Sequence, residues 1–178
     1  LNPQMHGGKQ QFGVRSGTLP LPLIVGLEIA IKHAVARTEQ TQKHLQGLCC
    51  YLIEGLKKMQ ERFPELRIRF NPLVDEDEPR QFSGMVNFSF PPVEGEVILH
   101  HLEAKDIFVG LGSACSAQSR EPSKILMGIG LSEEQARCSL RISFSRNNTT
   151  DEIDQFLEAF WEAYQALYPT FLQKAEHR

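Results

Sequence analysis

The sequence has few cysteines, no unbroken apolar run and no block of like charge, and each shortage closes a class of function. Four cysteines in 178 residues (Cys49, Cys50, Cys115 and Cys138) fall short of the density of a secreted disulfide scaffold. Cys49 and Cys50 are adjacent and poorly placed to bridge each other, so free thiols in a reducing, cytoplasmic compartment are expected. The most apolar stretch, Leu19 to Ala36, is broken by Pro20, Pro22, Glu28 and Lys32, which is too interrupted for a membrane span. No basic–apolar–small pattern opens the chain, so no secretory signal is read. With 19 basic against 22 acidic residues and a net charge of −3, there is no electrostatic footprint for nucleic acid or an anionic membrane. No internal repeat or low-complexity tract is present. The chain begins with Leu1 rather than Met, and residues upstream are expected.

What remains is ordinary globular material, 41% hydrophobic and 23% charged, long enough to bury a core without disulfides. Gly7, Gly8, Gly13 and Gly17 mark residues 2–19 as loop. Pro22 can open a helix, and Leu23, Leu27, Ile31 and Ala34, then Leu45, Leu48, Leu52, Leu56, Met59 and Phe63 recur at the helical period. One long helix or two stacked ones should therefore end near Pro64. The period then changes. Arg67 to Phe70 and Met85 to Phe90 alternate as strands, with Asp75 to Glu78 an acidic surface loop between them.

A helix is expected over Glu94 to Glu103, a short apolar strand over Ile107 to Val109, and a small-residue loop over Gly110 to Arg120. Pro122 should open a brief helix, and Ser132 with Gln135 a capped one. Leu140, Ile142 and Phe144 alternate as a strand. Thr149 with Glu152 caps a last helix carrying Ile153, Phe156, Phe160, Tyr164 and Leu167. The sum is an α+β architecture, a short mixed or antiparallel sheet covered by helices on one face.

The segment Gly110-Leu111-Gly112-Ser113-Ala114-Cys115-Ser116-Ala117-Gln118-Ser119 holds the residue of most chemical interest. A structural cysteine is usually buried, yet Cys115 is surrounded by small and polar residues that offer little to pack it. An accessible thiol just beyond a strand is a fitting place for a nucleophile; the other reading is a surface cysteine without a task. His100 and His101, with His44 or the Cys49–Cys50 pair, lack CxxC or HxxxH spacing, so no metal site is expected. A cysteine hydrolase using Cys115 with His100 or His101 as base lacks an orienting Asn or Asp motif.

Ordered motifs across the chain give a resemblance. Gln4-Met5-His6-Gly7-Gly8 and Arg15-Ser16-Gly17-Thr18-Leu19-Pro20 come first, followed by Asn87-Phe88-Ser89-Phe90 and Val93-Glu94-Gly95-Glu96. After them come Gly112-Ser113-Ala114-Cys115, Glu121-Pro122-Ser123, Gly130 to Glu134, Arg141 and Thr149 to Asp154. Together they resemble the C-terminal part of NifS/IscS-type cysteine desulfurases, PLP-dependent enzymes of aminotransferase class V. One departure is Phe144 to Thr149, which replaces the family's glycine-containing stretch after the strand.

The resemblance implies that L-cysteine becomes L-alanine while Cys115 takes the sulfur as a persulfide for an acceptor protein. The classes of acceptor left open are iron–sulfur scaffolds, tRNA thiolation enzymes, and thiamine or molybdopterin pathways. It implies that Arg141 holds the substrate carboxylate, a task suited to a guanidinium fork. Thr18, with Arg15 and His6 nearby, would line the cofactor phosphate of the partner subunit in a homodimer. It further implies that residues 1–21 end a large domain, 22–63 form a linking helix, and 64–178 form the small domain of a fold-type I enzyme. None of the eight lysines stands in a Ser-x-His-Lys context, so the cofactor lysine is expected outside this sequence and the chain alone is expected to be inactive. A selenocysteine lyase relative shares the class, and a stand-alone sulfur carrier without PLP chemistry is the alternative from another class.

Overall fold

The computed structural model describes residues 2–3, 5–71, 84–112 and 122–176. The acidic stretch Asp75 to Glu78 and Cys115 lie outside the described residues. The chain divides into two compact units, Leu1–Gln40 and Thr41–Arg178.

The apolar positions from Leu23 onward produce a single 42-residue helix, α1 (Leu21–Arg62), where the sequence left one helix or two open. Pro20 accepts from the Leu23 and Ile24 amides at 3.0 and 3.2 Å, satisfying donors that the first helical turn would otherwise leave unpaired. The helix stops ahead of Pro64, which disfavours helical backbone in the residue before it. In the first unit, Leu21, Leu23, Leu27 and Val35 of α1 are exposed, whereas in the second Leu48, Cys49, Leu52 and Leu56 are buried.

The second unit holds a three-stranded antiparallel sheet, ordered β1-β2-β3 (Arg69–Phe70, Met85–Ser89 and Ser139–Ser143). Successive strand residues face opposite sides, and here that alternation separates two kinds of surface. Val86, Phe88, Leu140 and Ile142 point into the core. There they meet Leu52 and Leu56 of α1, Ile98 and Leu102 of α2 (Gly95–Glu103), and Ile153, Phe156, Phe160 and Tyr164 of the final helix, α5 (Thr150–Glu176). Phe160 sits edge-on to Phe88 and Phe90, with centroids 5.6 and 5.1 Å away, a geometry that aromatic quadrupoles favour. The opposite face carries Asn87, Ser89, Ser139 and Arg141.

Two short helices follow the Cys115 segment. In α3 (Lys124–Gly128) the N-cap is Ser123, whose hydroxyl accepts from the Leu126 amide, so the helix starts just after the expected Pro122. In α4 (Glu133–Arg137), Ser132 and Gln135 form the reciprocal capping box. The second expected box also forms: the Thr149 amide donates to Glu152 Oε2 at 2.8 Å, and the Glu152 amide donates to Thr149 Oγ1 at 3.4 Å.

One strand expectation is corrected. Ile107 to Val109 form no strand; the chain leaves α2 through a left-handed residue, Asp106 (φ 60°), and meets β3 at a single bridge between Gly110 and Arg141. The segment runs alongside the sheet for too short a distance to build a ladder. After β3, Asn148 does the work of a turn glycine: its Oδ1 accepts from the Ser145 amide at 2.7 Å and from the Ser145 hydroxyl at 3.0 Å. An Asn side chain that mimics a backbone acceptor lets the departing stretch turn without glycine.

Candidate active site

Arg141 sits at the centre of β3, directly opposite Asn87 on β2. On its other side it exchanges both backbone hydrogen bonds with Gly110, at 2.9 and 2.7 Å. Asn71, one residue past β1, continues the register by donating its amide to the Asn87 carbonyl at 2.8 Å. Gly110, Arg141, Asn87 and Asn71 therefore form one lateral row across the polar face. Cross-strand neighbours in such a row share a face.

The row has a buried polar end. Asn71 Nδ2 donates to Asn87 Oδ1 at 2.9 Å and to Ser89 Oγ at 2.7 Å, and all three residues are buried. Beside it, Arg69 Nη1 donates to Gln135 Oε1 at 3.0 Å, tying α4 to the same face. Ser139 Oγ donates to the Ala136 carbonyl at 2.9 Å. Arg141 differs from these neighbours. It is half-buried, yet its guanidinium makes no ion pair or side-chain hydrogen bond among the described residues. A half-buried cation is costly for stability unless it is paired, and a guanidinium fork is suited to an anionic ligand.

Gly110 leads directly towards Cys115. Two residues on, Gly112 packs so closely on α3 that a Cβ there would lie 2.5 Å from Leu126 Cδ1 and 3.2 Å from Ser123 Cβ. The stems on either side of residues 113–121 are thus held together, and the first of them is hydrogen-bonded to the strand that carries Arg141. Cys115 itself is outside the described residues.

The other thiols have different surroundings. Cys138 is 3% exposed, and burial pushes its thiol up to about 12. Burial also raises Cys49, although the Gly84 amide donates to its sulfur at 3.3 Å and opposes the shift. Neither supplies a thiolate readily at neutral pH, and the thiolate is the nucleophilic form. Cys50 is exposed on α1.

The histidines considered for metal binding are engaged locally or exposed. His100 contacts Glu103 one turn away at 2.9 Å, His101 reaches the Val97 carbonyl at 2.9 Å, and His44 reaches the Asn148 carbonyl at 3.0 Å. Among the described residues no three His, Cys, Asp or Glu side chains converge as a metal site would require. No described helix is long and apolar enough to cross a membrane.

His6, Arg15 and Thr18 belong to the first unit, and all three are exposed. Met5 bridges Arg15, Ser16 Oγ donates to the Gly8 carbonyl at 2.6 Å, and the Gly17 amide donates to Gln10 Oε1 at 3.3 Å. The Gly17 amide is therefore already occupied, while the Thr18 hydroxyl has no partner among the described residues. The sequence reading missed the Gly110–Arg141–Asn87–Asn71 row. A glycine two residues before Gly112 offers no signal by itself, because the pairing depends on a register between segments thirty residues apart.

Residues 4–156 match the aminotransferase class-V family. The chain is 40% identical over 155 residues to a protein named cysteine desulfurase IscS from Rickettsia typhi, covering 86% of this chain and 35% of that one. It is 39% identical over 167 residues to the protein of that name from Vibrio vulnificus, covering 94% of this chain and 38% of that one. Among solved structures, a NifS-like protein superposes with a TM-score of 0.70 at 27% identity, over 94% of this chain and 40% of that one. A NifS-like protein from Rickettsia africae superposes with a TM-score of 0.66 at 26% identity, over 92% of this chain and 40% of that one. The chain thus spans little more than a third of the length of the curated relatives it matches, and with most of its residues matched it belongs to the aminotransferase class-V family.

Proposed function

We propose that this chain supplies the sulfur-accepting cysteine and the substrate-carboxylate arginine of a PLP-dependent cysteine desulfurase. The observation that carries the reading is the guanidinium of Arg141, which has no partner among the described residues, on a backbone bonded to the stem that leads to Cys115. A planar guanidinium can take a carboxylate through two parallel N–H···O bonds. That contact fixes the orientation of a small amino acid, so that its far end, here the thiol, is presented in a set direction.

The reaction then needs a nucleophile for sulfur. The Cys115 thiolate attacks the sulfur of the substrate, a sulfur–sulfur bond forms and the carbon–sulfur bond breaks. The electron pair of the broken bond stays with the substrate carbon, which takes up a proton. L-cysteine and one protein thiol thereby become L-alanine and one protein persulfide, with atoms and electrons balanced. The persulfide next passes its outer sulfur to the thiol of an acceptor protein. Cys49 and Cys138 are held as buried thiols, and of the other two it is Cys115, not Cys50 on α1, that stands in the Gly-Ser-Ala-Cys segment.

Pyridoxal phosphate, when bound, supplies the electron sink that such carbon–sulfur cleavage requires. The residues of this chain fit one edge of it. The exposed Thr18 hydroxyl and the neighbouring Arg15 are donors suited to a phosphate of the partner subunit's cofactor in a homodimer, with His6 close in sequence. The lysine that holds the cofactor belongs to the part of the enzyme that this chain does not span. Made alone, the chain yields no alanine from cysteine even with pyridoxal phosphate added.

The test is Arg141→Ala in the full-length enzyme. Loss of a charge-assisted pair weakens binding by roughly 10- to 100-fold, so KM for cysteine rises by that order. An unchanged KM would remove Arg141 from the substrate site.

A further inference from the structure

The polar row contains a position whose missing side chain has a use. Gly110 pairs with Arg141 through both backbone hydrogen bonds, and in an antiparallel pair the residues opposite each other project to the same side. A side chain at 110 would therefore occupy the space beside Arg141. A Cβ built there lies 3.1 Å from Arg141 Nη2, 3.3 Å from Nε and 3.5 Å from Cζ. All three are guanidinium atoms. No backbone or core atom is among the nearest neighbours, and Gly110 does not have the positive φ that would itself demand glycine.

We propose that Gly110 is a positioning residue: the space left by its absent side chain is where the Arg141 guanidinium lies, so the identity of residue 110 sets the approach of that fork to the substrate carboxylate. The inference rests on the reading of Arg141 as the carboxylate ligand. On the other side of Arg141, Asn87 is committed, its Oδ1 taken by Asn71 and its side chain buried. The guanidinium is thus bounded by a fixed amide on one flank and an open glycine on the other. It takes the open side. Any side chain at 110, even a methyl, pushes it back or outwards by a few tenths of an ångström without altering the sheet.

The experiment uses the full-length enzyme with Gly110→Ala, Arg141→Ala and the double variant, following KM and kcat for cysteine together with melting temperature. Small misplacements of a substrate-orienting group are felt strongly, so Gly110→Ala should raise KM about fivefold, with a much smaller change in kcat and an unchanged melting temperature. In the Arg141→Ala background, Gly110→Ala should have no further effect on KM. Three results overturn the inference: an unchanged KM in Gly110→Ala while Arg141→Ala raises it, an equal KM effect of Gly110→Ala with and without Arg141, or loss of folding in Gly110→Ala, which would mean the methyl meets more than the guanidinium. An unchanged KM in Arg141→Ala is a separate result and removes the carboxylate reading itself.

Discussion

The two faces of one small sheet do different work. On one face Val86, Phe88, Leu140 and Ile142 pack against three helices and are nearly or wholly excluded from solvent. On the other face the same strands carry Asn87, Ser89, Ser139 and Arg141, whose side chains make hydrogen bonds or, for Arg141, no hydrogen bond or ion pair among the described residues. Side-chain alternation along a strand thus sets a residue that stabilises beside Arg141, for which substrate binding is proposed. Phe88 and Leu140, opposite each other, are the immediate neighbours of Asn87 and Arg141. Stability and substrate binding should therefore be separable by substitutions one residue apart.

The largest effect on that comparison should come from the apolar face. Phe160 is fully buried and touches both Phe88 and Phe90. Truncating a buried Phe costs about 3–5 kcal/mol, so Phe160→Ala should lower the denaturation midpoint of the second unit by a corresponding amount in a chemical melt. A small shift would mean that the core lies elsewhere. Arg141→Ala, on the other face, should leave the same midpoint unchanged or slightly raised, because it removes a half-buried cation with no partner among the described residues. A loss as large as that of Phe160→Ala would show that the polar face is structural as well.

The smallest effect lies at the start of α5. The Thr149 amide donates to the Glu152 carboxylate and holds its pKa below the ordinary carboxylate value, with the Asn148 side chain adding to the effect. A carboxyl with a lowered folded-state pKa contributes stability that is present above its ordinary pKa and is lost as pH falls through the folded value. Glu152→Gln should therefore lower stability slightly at neutral pH, with the difference from the parent shrinking as pH falls through the acid range. A difference that persists undiminished in acid, or that appears only there, would contradict the cap's electrostatic role.

Much of this architecture was legible in the sequence. The alternation of Val86, Phe88 and Phe90, the capping pairs Ser132–Gln135 and Thr149–Glu152, and the apolar period of α1 are local patterns with local causes. The Ile107 to Val109 segment was read as a strand because apolar runs of that length are ambiguous; the turn at Asp106 and the single bridge at Gly110 decided otherwise. The row that frames Arg141 was not legible, since it joins residues from four separate stretches of chain through their register. For the same reason Gly110 had no visible role until Arg141 was seen beside it.

Whether Cys115 carries the sulfur is tested by incubating the full-length enzyme with cysteine and locating the persulfide by peptide mass. The added sulfur should lie on the peptide carrying Cys115 and not on Cys49 or Cys138, whose buried thiols resist ionisation. A persulfide on Cys50, Cys49 or Cys138 with Cys115 unmodified would contradict it.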